Sequence, residues 1–210
     1  MRERSRPARA RRSALVFLLI TVLVNAALFI APLTEPPGTV DFGEDGGANI
    51  IDKGDVTSRI NPIARPIYVF GDATCHQKAS RSFFINGNQM PVCSRDVGVY
   101  LGLTLGALVY LLFPRRFSFL WLFVLIVPLA LDGLVQLLTP YESNNAVRLV
   151  TGLMYGGVVS MLIVQIMYEI HEVPLRRFGP EVHIERALGI VRPRPRDIHR
   201  PGEGDGLDAA

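Results

Sequence analysis

Cysteine is scarce in this chain: two are present among 210 residues, too few for a disulfide scaffold. Catalytic motifs of known spacing are missing as well. There is no HExxH, no GxSxG and no P-loop, so the metalloprotease helix, the nucleophile elbow and the phosphate-cradling glycine loop are all excluded. No stretch interleaves bases with aromatics as RNA-binding sheets do, and nucleic acid is not an expected partner. Lysine is sparse, and the net charge of +3 rests almost wholly on arginine. Most of those arginines sit in the N-terminal arm, after Phe113 and in the C-terminal tail. Charge placed this way flanks membrane segments.

What the chain has instead is apolar residues in blocks. They make up 49% of the sequence, and the blocks predict four transmembrane helices at 14–32, 97–114, 117–138 and 149–168. Each approaches the ~20 residues needed to cross a hydrocarbon core of about 30 Å. The first follows a basic arm, 1–13. A secretory signal peptide is the rival reading, but its apolar core rarely exceeds about 15 residues, and Ala31-Pro32-Leu33 is a poor cleavage site. An uncleaved anchor is expected. The positive-inside rule puts the basic arm, the Arg115-Arg116 turn and the tail at 169–210 in the cytoplasm. The fold class is therefore all-α integral membrane, in the cell membrane, with both termini cytoplasmic.

The segment 33–66 is then an extracytoplasmic loop. Its Pro36-Pro37-Gly38 and Gly46-Gly47 suggest mobility as far as about Ile60. Beyond it, Asn86-Gly87 between apolar runs predicts a hairpin, because both residues tolerate positive φ. Gly98, Gly102 and Gly106 recur every four residues, as do Gly152, Gly156 and Ser160. Such rows let helix backbones approach closely in lipid. They predict contact between these two helices, or a homo-oligomer through the same faces.

This topology gathers the polar residues on one side, with the Cys-His motif extracytoplasmic. Cys75, His76, Cys93 and Asp96 form a candidate metal set, with zinc the ion that suits it. Asp132 or Glu142 is a candidate general base. Arg95 and Arg148 are placed to grip an anion through several donors at once. Each has a plainer role open to it. Asp132 pairing with Arg148 would merely join two helices, and Ser143, Asn144 and Asn145 would make the turn or cap the last helix. Three readings of the cysteines stand together. A disulfide would close a loop of about 19 residues, worth roughly 3 kcal/mol. A metal site has against it that adjacent Cys75 and His76 diverge in extended backbone. The third is thiol redox chemistry, with Arg95 or His76 lowering a thiolate pKa.

At these residues the chain resembles a known group. Cys75-His76-Gln77, Arg81-Ser82-Phe83-Phe84, Pro91-Val92-Cys93-Ser94-Arg95 and Gly98-Val99-Tyr100-Leu101-Gly102 are similar to the prokaryotic membrane family called domain of unknown function 2085. So are Asp132-Gly133 with Gln136, and Glu142-Ser143 with Asn145, Arg148 and Thr151-Gly152. The resemblance runs from about Ile67 to Tyr168 and implies a membrane domain over 67–168, with the motif loop at 67–96. It implies no activity. Many members carry Cys-x-Arg-Cys where this chain has Cys93-Ser94-Arg95-Asp96. With Asp96 at the second cysteine position, a redox CxxC is excluded, while a metal site and a Cys75–Cys93 disulfide both survive.

Three functions are consistent with the sequence. One is a metal-assisted membrane enzyme acting on a lipid or small anionic substrate. Another is a non-catalytic subunit or assembly factor with a structural disulfide or metal. The third is an oligomeric transporter.

Overall fold

The computed structural model describes residues 6–45, 51–118, 120–139, 141, 143–171 and 176–177. In chain order the elements are helix α1 (Arg6–Ile30), the short α2 (Gly54–Thr57), α3 (Arg65–Thr74), strands β1 (Ser82–Ile85) and β2 (Asn88–Cys93), α4 (Ser94–Leu112), the two-residue β3 (Arg115–Arg116), α5 (Leu120–Leu138), α6 (Asn145–Ile170) and β4 (Arg176–Arg177). Among the described residues, three helices are long and apolar enough to cross a membrane: Pro7–Thr34, which adds a turn of 3-10 helix to α1, then α4 and α6. In α5 the apolar stretch Phe123–Val135 is shorter, and Pro128 lies inside it. The helices begin and end beyond the expected apolar limits. α1 starts in the basic arm at Arg6, and α6 has 26 residues, about 39 Å at ~1.5 Å per residue.

Among the described elements α4 and α6 share the most extensive contact, and glycine makes it possible. A Cβ built on Gly98, Gly102 or Gly106 would stand 2.2–2.4 Å from a carbonyl oxygen of α6. One on Gly152 or Gly156 would meet the Arg95 or Val99 carbonyl at 2.2 or 2.1 Å. Both rows foreseen in the sequence thus face each other within one chain. Ser160 extends its row by donating from Oγ to the Leu103 carbonyl at 2.6 Å. α1 joins this pair through Asn25, whose Nδ2 donates to the Tyr100 carbonyl (2.8 Å) and Thr104 Oγ1 (3.0 Å). At one end, Ala10 and Ala14 of α1 close on Ala107, Tyr110, Val164 and Tyr168.

Between α1 and α4 the chain forms a polar lobe. The expected hairpin is there: Asn86 and Gly87 have φ of 56° and 74°, and β1 pairs antiparallel with β2 in the register Phe84↔Gln89 and Ile85↔Asn88. The expectation of a mobile loop up to Ile60 is corrected for the described residues. Val40, Phe42 and Ile60 are buried with Ala31, Ala64 and Tyr68. The side chain of Asn88 supplies the missing ladder. Its Oδ1 accepts from the Thr39 and Val40 amides (2.8 and 3.0 Å), and its Nδ2 donates to the Pro32 and Pro36 carbonyls (2.9 and 3.0 Å). Gln89 Oε1 accepts from the Phe42 amide at 2.8 Å. Buried backbone groups need such partners, and here two strand side chains provide them.

Candidate metal centre and basic pocket

The centre is assembled where α3, β2 and α4 meet. Cys75 ends α3 in extended backbone, φ −135° and ψ 154°, with its amide donating to the Gly71 carbonyl. Gly71 lets α3 lie directly on β2, since a Cβ there would fall 1.7 Å from the Pro91 carbonyl oxygen. Two residues on, Gln77 turns into the left-handed region with φ 46°. Its buried side chain donates to the Pro91 carbonyl at 2.6 Å, and its own carbonyl accepts from Gln89 Nε2 at 2.6 Å. Cys75-His76-Gln77 is thereby clamped against Pro91-Val92-Cys93. Cys93 is both the last residue of β2 and the residue before α4, and Asp96 lies in the first turn of that helix.

The three donor atoms of Cys75, Cys93 and Asp96 lie within 4.8 Å of one another. The Cys93 amide donates to Cys75 Sγ at 3.3 Å, and Cys93 Sγ stands 3.4 Å from Asp96 Oδ2. Both cysteines are free thiols. The hydrogen bond to Cys93, burial, and the negative charge around it push the Cys75 thiol well above its ordinary range. The same bond, accepted by Cys93, pulls that thiol down. His76 does not join the cluster. Its side chain is exposed, because successive side chains in extended backbone point apart.

His76 instead lines a pocket of about 110 Å³ beside the two thiols. The other walls are Lys78, Arg81, Arg95 and Arg148. Arg95 forms an ion pair with Asp132 of α5. Ser143 Oγ donates to the same carboxylate at 3.2 Å and accepts from Arg148 Nε at 3.1 Å. Asp132 thus pairs with Arg95 and is linked to Arg148, the partner expected from the sequence, through Ser143. Asn144 caps α6, accepting from the Val147 amide at 2.8 Å. Asn145 does more than shape the turn: its Oδ1 accepts from Ser94 Oγ at 2.9 Å, and its Nδ2 donates to the Ser80 and Ser82 carbonyls. Glu142, the other candidate base, lies outside the described residues, as do 178–210 of the tail.

Sequence reasoning missed Lys78 and Arg81 as pocket residues. The signals were present, since Lys78 follows the Cys-His-Gln run directly and Arg81 opens the Arg-Ser-Phe-Phe motif. It also missed Gln77 and Gln89 as the clamp, although Gln77 closes the Cys-His-Gln run.

The family model described as "Predicted membrane protein (DUF2085)" matches residues 75–162. An uncharacterized protein of Methanocaldococcus jannaschii is 35% identical over 108 residues, which span 49% of this chain and 69% of that relative. The chain belongs to the DUF2085 family. An uncharacterized protein of Methanothermobacter thermautotrophicus is 40% identical over 85 residues, 39% of this chain and 77% of the relative. No solved structure matches. The DUF2085 match starts at Cys75 and ends inside α6. It holds the three clustered donors, Arg95, Asp132 and Arg148, while α1 and the first half of the lobe precede it.

Proposed function

We propose that this multi-pass membrane protein holds a transition metal at Cys75, Cys93 and Asp96, and that the ion serves a reaction on a lipid or small anionic substrate. The observation that carries this reading is the gathering of the three donor atoms within 4.8 Å against a pocket whose remaining walls are basic. Donors around one tetrahedral zinc stand about 3.3–3.8 Å apart, so small side-chain rotations suffice. Two sulfurs and a carboxylate suit zinc, and three protein ligands leave one position open for an activated water. The hydrogen bond that the Cys93 amide donates to Cys75 Sγ orients this ligand.

Asp132, engaged by Arg95 and Ser143, serves in this reading to position Arg95. Arg95 and Arg148 present planar donors to the anion. The reading also takes α5 as a fourth span. It puts the arginine-rich arm and the Arg115-Arg116 turn in the cytoplasm, and the lobe outside.

Metal analysis of the detergent-solubilised protein tests the proposal. About one tightly held zinc per chain is expected, lost in Cys75→Ser and in Cys93→Ser. The closeness of the two sulfurs also supports a second reading, a non-catalytic subunit closed by a Cys75–Cys93 disulfide. Metal-free protein with that bond intact would select it.

A further inference from the structure

A second cavity lies towards the end of α4 and α6 that is opposite Cys93 and Arg148. It is a groove of about 290 Å³ between α5 and α6, lined by Phe117, Trp121, Leu125, Val158 and Met161. Every one of these side chains is apolar. Trp121 and Leu125 share a face of α5, one turn apart, and Phe117 stands just ahead of that helix. The groove exists because α5 packs on α6 less extensively than α4 does. An empty apolar gap forfeits dispersion contacts on one side, so between membrane helices it draws in an apolar occupant.

One mouth of this groove meets positive charge. Phe117 directly follows Arg115 and Arg116, and Arg115 is exposed. Phe117 and Met161 also pack against the buried cluster that contains Ala10 and Ala14, so the first turns of α1 stand at the same end. Arg9, Arg11 and Arg12 on those turns are exposed and make no ion pair among the described residues. Glu169 is the acid described at this end, 3.6 Å from Arg116.

We infer that the groove holds an acyl chain of an anionic phospholipid whose phosphate is gripped by the arginines at the mouth. Guanidinium forks match phosphate oxygens, and basic pockets between membrane helices suit anionic headgroups. A zwitterionic lipid fits the apolar part equally but sets an ammonium against the arginines. A second copy of the chain, inserted the same way round, sets its own arginines against them, and like charges repel.

Trp121 is the one tryptophan of the chain, so its fluorescence reports on the groove. The test uses full-length protein in phosphatidylcholine nanodiscs that contain increasing fractions of phosphatidylglycerol brominated on its acyl chains or, in parallel, brominated phosphatidylcholine. Bromine quenches tryptophan on contact. Brominated phosphatidylglycerol is expected to quench saturably, at a fraction about ten-fold or more below the phosphatidylcholine. Arg115→Gln with Arg116→Gln, and separately Arg9→Gln with Arg11→Gln and Arg12→Gln, each reduce that preference, by about five-fold for every arginine that meets the headgroup. The triple variant changes only exposed side chains at a helix start, so it reads out even where the double variant fails to fold. Equal quenching by the two lipids overturns the inference, as does a preference that never saturates or that the triple variant leaves unchanged. Quenching by neither lipid shows that protein covers the groove, and overturns it too.

Discussion

At the scale of single residues, the site depends on protons. The Cys75 thiol is held up by its bond to Cys93 and by burial, so metal-free protein at neutral pH keeps that proton. Binding must displace it. Affinity therefore rises with pH, by about ten-fold per unit for each proton released, and the rise continues past the ordinary thiol range because the shift is upward. Zinc competition with a chelator between pH 6 and pH 9 checks this. A flat profile would mean that the thiols are not the ligands. The cysteines, Asp96, Arg95 and Arg148 were legible in the sequence, because rare polar residues beside apolar blocks stand out. The partner of Asp132 was not. Helical spacing orders residues along one helix and is silent on which of two arginines lies across from it.

Elements are where the sequence spoke most clearly. Glycine rows have little reason to exist except close approach, and Asn-Gly has little reason to sit between apolar runs except a tight turn. Both formed. The consequence for the helix pair is sharp. Gly156→Ala places a methyl 2.1 Å from the Val99 carbonyl oxygen, against rigid backbone, and should cost about 1–3 kcal/mol or more. Gly133→Ala on α5 meets nothing within 4 Å and should be neutral or stabilising by about 0.5–1 kcal/mol through helix propensity. Thermal unfolding of the two variants in one detergent compares them directly, and equal midpoints would show that α4 and α6 do not touch as described. The lobe was the element the sequence concealed. Proline and glycine suggested freedom between residues 33 and 60, yet that stretch is tied by Asn88 and Gln89, whose amides lie about fifty residues away and act as backbone surrogates.

On the scale of the whole molecule, orientation decides what the pocket can meet. If the lobe lies outside the cell, Ile63, which is 80% exposed, faces that side. In Ile63→Cys, a membrane-impermeant maleimide added to intact cells should label the protein above the parent's background. Labelling only after the cells are opened would reverse the topology and place the proposed metal centre in the cytosol.

Cys93 finishes β2, and Ser94 already belongs to α4; no linker separates them. Cys75 hangs from α3 instead. A tilt of α4 in the bilayer would therefore carry the Cys93 sulfur with it, and in the proposed centre the spacing of the two metal ligands would follow the thickness of the surrounding lipid.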